Sequence, residues 1–159
     1  GVPRAVFVPP AATRGLARSP ANPGGVDPAV FEHLRNEVFL EDFPKWLDEG
    51  AAAYFTPETS NGIVAWTRQT MLQASMLAVI ECNRAMTGAD FRAELPHIAV
   101  PSLVVHGTKD ASAPVEITGA PTAAMIPGAE LALYQGAPHG LYVTHHRRLT
   151  EDLIRFIGG

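Results

Sequence analysis

Cysteine is nearly absent: Cys82 stands alone among 159 residues, so no internal disulfide forms and the chain does not depend on an oxidising compartment. A single thiol in a helical run is expected to be buried and inert. No uninterrupted apolar run approaches the roughly 20 residues of a membrane span, and the N-terminus carries neither a basic segment nor an apolar signal core. No membrane partner is expected, and a cytoplasmic location is the default. Basic residues are few, twelve Lys and Arg against sixteen Asp and Glu, and only Arg147 and Arg148 are adjacent. Without a basic stripe there is nothing to track a phosphate backbone, which argues against a nucleic-acid partner. What remains is 47% hydrophobic and 18% charged, with net charge −4. That is the composition of a globular chain long enough for one sizeable core.

Along the chain, residues 5–8 (AVFV) form a short apolar run that Pro9 and Pro10 bring to an end, because neither proline donates to a ladder. A buried parallel strand is expected there. Residues 11–27, rich in Pro, Gly, Ala and Arg, read as a surface excursion. Asp27 followed by Pro28 is a helix start, and Val30, Phe31, Leu34 and Val38 continue it at helical spacing, so a helix is expected over 28–40. A shorter one is expected over 43–53, and a long, mostly buried one over 63–86, with Met71, Met76 and Met86 as core filler. Beyond it the pattern changes to strand over 98–106, helix over 115–125, strand over 131–134 and helix over 144–157. Leu149, Leu153, Ile154 and Ile157 would share the last helix's buried stripe. Strands alternating with helices imply an α/β fold with a parallel sheet and right-handed crossovers. Three strands are few for such a sheet, and the chain enters its first strand at once without a methionine. The remaining strands are therefore expected upstream of Gly1.

In open parallel sheets, functional side chains gather on loops at the carboxyl ends of strands. Two such loops carry titratable groups: Asp110 after LVVHGTK, and His139 in GAPHG after LALYQ. A crossover helix and one strand fit between them, so the two loops are expected side by side, with the carboxylate near the imidazole. Such a pair serves a nucleophile, since the carboxylate sets the imidazole tautomer and stabilises the imidazolium. No Gly-x-Ser-x-Gly frame exists around Ser19, Ser60, Ser75, Ser102 or Ser112, and Cys82 is no better placed. Taken alone, Asp110 is equally a turn residue. His106 reads as a packed, hydrogen-bonded histidine at a strand end, not a second base. His145 and His146 are adjacent, face different ways on a helix and are not expected to share a metal.

The segments VPSLVVHGTKDASAPVE, AELALYQGAPHGLYVTHHRRLTEDLIRFI and ANPGGVDPAVF resemble the C-terminal portion of the α/β-hydrolase superfamily, in particular the cofactor-free bacterial haloperoxidases and aryl esterases. The resemblance covers essentially the whole chain. It implies residues 1–8 as a core strand, 9–91 as a helical cap insertion with its return, and 92–159 as the C-terminal part of the hydrolase core. The superfamily's chain order, Ser then Asp then His, implies Asp110 as the acid and His139 as the base. The nucleophilic serine and the oxyanion hole would then come from an N-terminal part not in this chain, or from a second copy by domain swapping. The implied chemistry is serine-dependent hydrolysis of a small ester, or perhydrolysis in which hydrogen peroxide and a carboxylic acid give a peracid that oxidises halide. No haem, metal or flavin takes part. Val8, Leu34, Trp46, Tyr54, Phe55 and Leu141 are implied as pocket-lining residues. Ser112 stands near a position where relatives often carry a bulkier apolar residue, which would widen or polarise the acyl pocket. Two other readings stay open: a non-catalytic binding or assembly remnant, and a C–C hydrolase, acyltransferase or dioxygenase on the same scaffold.

Overall fold

The structure, a computed structural model, describes residues 3–9, 16–20, 23 and 25–158. They fall into two compact units. One holds the described residues up to Pro9, residues 53–57 and residues 91–158; the other holds the described residues between 16 and 52 together with 58–90.

The first unit is built on three parallel strands in the order β1 (Ala5–Phe7), β2 (Ser102–Gly107) and β3 (Glu130–Tyr134). Ala5 pairs with Ser102, and β2 pairs with β3 from Leu103 opposite Glu130 to Gly107 opposite Tyr134. β2 is the central strand and every residue of it is buried. Its sequence suits that place, since a central strand has no solvent face to reward a polar alternation. β1 is only half-buried. β2 begins four residues later than the apolar pattern suggests. Leu95–His97 form a 3-10 turn, and Pro101, which has no N–H, accepts from Ala5 N at 3.0 Å just before the strand.

The crossover helix α5 (Gly119–Met125) also begins four residues later than expected. Thr118 explains the delay: its hydroxyl donates to Ala113 O (3.1 Å) and Pro114 O (2.8 Å), holding the preceding chain in turns. Gly119 and Pro121 therefore lie in the first helical turn, where a missing N–H forfeits no bond. After β3 come a four-residue helix α6 (Leu141–Thr144) and the final helix α7 (His146–Gly158). Leu149, Leu153 and Phe156, spaced i, i+4 and i+7, meet the core that Leu103, Val105, Tyr134, Ala137 and Leu141 form. Ile154 and Ile157, expected on that stripe, are instead exposed. The apolar band of α7 is wider than the sheet face it covers.

In the second unit, α1 (Pro28–His33) starts where the Asp27 side chain accepts from Ala29 N at 3.0 Å. The expected helix over 28–40 continues through a π turn (Leu34–Val38) into α2 (Phe39–Tyr54). Asp42 breaks α2 with a non-helical backbone and accepts from Lys45 N at 2.9 Å. The second half of α2 is thus the separate helix anticipated over 43–53. Phe39, Phe43 and Trp46 pack ring to ring, with centroids 4.9–5.7 Å apart. Arg35, buried, bridges Glu32, Asn83 and Thr87.

The single long helix expected over 63–86 is two helices, α3 (Asn61–Met71) and α4 (Met76–Gly88). Ser75 divides them by accepting from Ala78 N at 3.2 Å, which starts a new N-terminus. Nor are they mostly buried: Trp66, Leu77 and Met86 are exposed, and so is Cys82, contrary to the inert buried thiol expected. The surface excursion expected over 11–27 lies partly outside the described residues. Its described part pairs Ala17 with Val26. No described helix is long and apolar enough to cross a membrane.

Tyr134 closes β3 and anchors α7 to the sheet. It is wholly buried, its hydroxyl donates to Asp152 Oδ2 at 2.5 Å, and the Arg148 guanidinium lies over its ring at 3.9 Å. Asp152 also pairs with Arg155. Tyr134→Phe should lower the unfolding free energy by about 1–2 kcal/mol, the loss of one buried hydrogen bond to a charged group. The urea midpoint of unfolding measures it, and an unchanged midpoint would show that this bond contributes nothing.

Candidate active site

The two titratable loops leave the same end of adjacent strands. β2 ends at Gly107 and β3 at Tyr134, and the loops are bonded to each other before either reaches its functional side chain. Thr108 N donates to Tyr134 O (3.0 Å), Lys109 N to Ala137 O (3.0 Å), and Gly136 N to Thr108 Oγ1 (2.9 Å). Gly107 permits this approach: a Cβ there would stand 2.2 Å from Ala137 O, which is rigid backbone.

Asp110 is buried, and four nitrogens surround its carboxylate. Oδ1 accepts from Ser112 N (3.0 Å) and Ala113 N (2.7 Å), the local turn that an aspartate at this position favours. Oδ2 accepts from His139 Nδ1 at 2.8 Å and lies 3.3 Å from His106 Nε2. Burial alone would push this carboxyl upward, but hydrogen bonds from His106, His139 and the Ala113 N–H more than offset it, holding the pKa well below the usual carboxylate range. Asp110 is therefore ionised at neutral pH.

Because an ionised carboxylate only accepts, His139 carries its hydrogen on Nδ1 in this pair, and Nε2 is the ring's basic nitrogen. The side chain is 27% exposed while that of Asp110 is fully covered. The His139 backbone is clamped by the C-terminal end of α2: His139 N donates to Ala53 O (3.3 Å) and Gly140 N to Tyr54 O (3.1 Å). Gly140 allows the second contact, since a Cβ there would come within 2.3 Å of Tyr54 O. The Tyr54 ring meets the imidazole edge-on with centroids 5.3 Å apart, and its hydroxyl is hydrogen-bonded to that of Tyr142. Burial raises the pKa of the Tyr142 phenol.

The structure thus brings Asp110 and His139 into direct contact. Of the residues that the resemblance implied as lining a pocket, Tyr54 flanks the imidazole and Phe55 packs edge-on against Tyr54 at 5.5 Å. Ser112 is exposed and touches Asp110 through its backbone N–H. Val8 packs against the core cluster and Leu141 is wholly buried within it. Leu34 and Trp46 belong to the other unit, Trp46 in its aromatic cluster. Two features escaped the sequence: the second imidazole at Asp110, and the clamp by residues 53–54. His106 is the packed, hydrogen-bonded histidine expected, but no spacing rule indicates that its nitrogen faces the same oxygen as His139.

The depressed pKa makes the Asp110 bonds a source of stability with a defined pH dependence. The contribution is fully present above the unfolded-state pKa of about 4 and is lost as pH falls toward the lower folded-state value. Asp110→Asn should therefore be less stable than wild type by about 2 kcal/mol at pH 7. The gap should narrow below about pH 4. Urea titrations across that range test this; a gap independent of pH would contradict it.

The chain is 30% identical over 148 residues to a non-heme chloroperoxidase of Kitasatospora aureofaciens, covering 89% of this chain and 54% of that protein. It is also 30% identical to a bifunctional esterase/perhydrolase of Acinetobacter calcoaceticus, again covering 89% of this chain and 53% of the relative. The crystal structure of a bromoperoxidase from Bacillus anthracis superposes with a TM-score of 0.84 at 31% identity, over 98% of this chain and 58% of that one. No protein-family model matches. The chain spans about half the length of the curated relatives it matches. In fold and sequence it matches the C-terminal portion of α/β-hydrolase-fold proteins, and it is similar over that portion to non-heme haloperoxidases and esterases.

Proposed function

We propose that this chain supplies the acid and the base of a serine-dependent carboxylesterase with perhydrolase and haloperoxidase capability. The carrying observation is the His139 Nδ1 to Asp110 Oδ2 bond of 2.8 Å, made by a carboxylate that is covered and an imidazole that is partly open. In this reading the serine and the oxyanion hole belong to an N-terminal part outside the chain, which pairs with the free margin of β1. Residues 9–91 then act as the cap, and residues 1–8 with 92–159 as the C-terminal core.

His139 Nε2 takes the serine hydroxyl proton as the oxygen attacks the ester carbonyl, while Asp110 stabilises the imidazolium. The proton passes to the leaving alcohol and an acyl-serine remains. Water attacking that acyl group with His139 as base releases the carboxylic acid and restores the serine. Hydrogen peroxide in place of water releases the peracid, which can then oxidise halide to hypohalite and revert to the acid. These steps require no haem, metal or flavin. Tyr54 and Phe55 form an aromatic wall beside the base, and Ser112 adjoins the acid through its turn. The substrate class is a small ester or carboxylic acid.

The test is hydrolysis of p-nitrophenyl acetate by the full-length protein that carries this chain. His139→Ala should lower kcat/KM by about a thousandfold or more. Equal rates for wild type and variant would instead support a non-catalytic remnant that uses its pocket for binding.

A further inference from the structure

We propose that His106 is a positioning residue for the Asp110–His139 pair, its Nε2–H holding the same carboxylate oxygen that His139 uses. The inference rests on the catalytic reading above and adds a member that the acid–base pair does not require.

His106 is the penultimate residue of β2 and is wholly buried. Its Nε2 lies 2.8 Å from Ala113 O and 3.3 Å from Asp110 Oδ2. A backbone carbonyl and an ionised carboxylate only accept, so Nε2 must carry the hydrogen and share it between the two oxygens. Nδ1 is then left with a bare lone pair. It is buried, has no hydrogen-bond partner among the described residues, and faces Gly119, where a Cβ would come within 2.4 Å of it. Leaving such an acceptor unpaired is destabilising. The hydrogen is bonded to Ala113 O, with Oδ2 within 3.3 Å of the same nitrogen, while His139 approaches that oxygen from its loop.

Two consequences follow. The shared N–H restricts rotation of the carboxylate and ties the 110–113 turn to β2. It also draws charge from Oδ2, which weakens the hold of Asp110 on the proton of the His139 imidazolium. Asp110 and His139 are the titratable groups in this cluster, with Tyr54 and Tyr142 beyond the imidazole. Removing the His106 N–H therefore leaves Oδ2 more basic and His139 harder to deprotonate.

The experiment compares His106→Phe, which keeps a ring without the donor, and His106→Gln, which returns an N–H at similar reach, in the full-length protein. For His106→Phe, kcat should fall about tenfold, the fold-change of one hydrogen bond to a charged group, with KM little altered. The acid limb of its kcat/KM profile should move to higher pH. His106→Gln should restore most of both. An unmoved acid limb in His106→Phe, or a His106→Gln profile that matches His106→Phe, overturns the inference. If the Phe variant does not fold, the wild-type tautomer decides, read from the 15N shifts of the ring. Hydrogen on Nε2 with bare Nδ1 supports the inference, and hydrogen on Nδ1 overturns it. His139→Ala separates the two layers: activity surviving that change sinks the catalytic reading, whereas its loss beside an unmoved His106→Phe profile sinks this inference alone.

Discussion

The buried Asp110 carboxylate organises everything near it. A carboxylate taken out of water must be compensated, and here four N–H groups do so: two from its own turn, one from the His139 loop and one from within β2. The donors come from three places, the turn, the His139 loop and β2, so satisfying one charge ties all three together. The result is an imidazole whose tautomer is set by the fold itself.

That carboxylate reaches its position only because β2 and β3 are adjacent and parallel. Adjacent parallel strands end at the same edge, and their following loops share backbone hydrogen bonds at Thr108, Lys109 and Gly136. Tyr134 fastens the far side: its hydroxyl on Asp152 and the Arg148 cation over its ring hold α7 against the strand from which the His139 loop departs. The end of α2 grips the same loop from another direction through Ala53 O and Tyr54 O. A histidine framed by Gly136, Pro138 and Gly140 is thus held at its backbone while its ring stays partly open, the condition a general base must meet.

Where expectation and structure part, the cause is local competition for hydrogen bonds. Apolar spacing from residue 63 to 86 suits one helix, yet Ser75 offers its hydroxyl to Ala78 N and divides it. Thr118 delays α5 in a similar way by bonding back to Ala113 O and Pro114 O. Cys82, Met86, Ile154 and Ile157 are exposed because an apolar residue at helical spacing marks a potential buried face, and only the neighbouring element determines how wide that face is.

The sequence by itself determined the order of strands and helices, the parallel sheet, and the two loops that carry Asp110 and His139. Periodicity, helix caps and glycine–proline punctuation are encoded within a few residues of where they act. Only the tertiary structure decided that His106 shares the oxygen of Asp110, that Tyr54 walls the imidazole, and which apolar side chains are covered. The Tyr54 contact joins groups far apart in the chain, and the His106 contact, although four residues long, depends on how the 110–113 turn folds back on the end of β2.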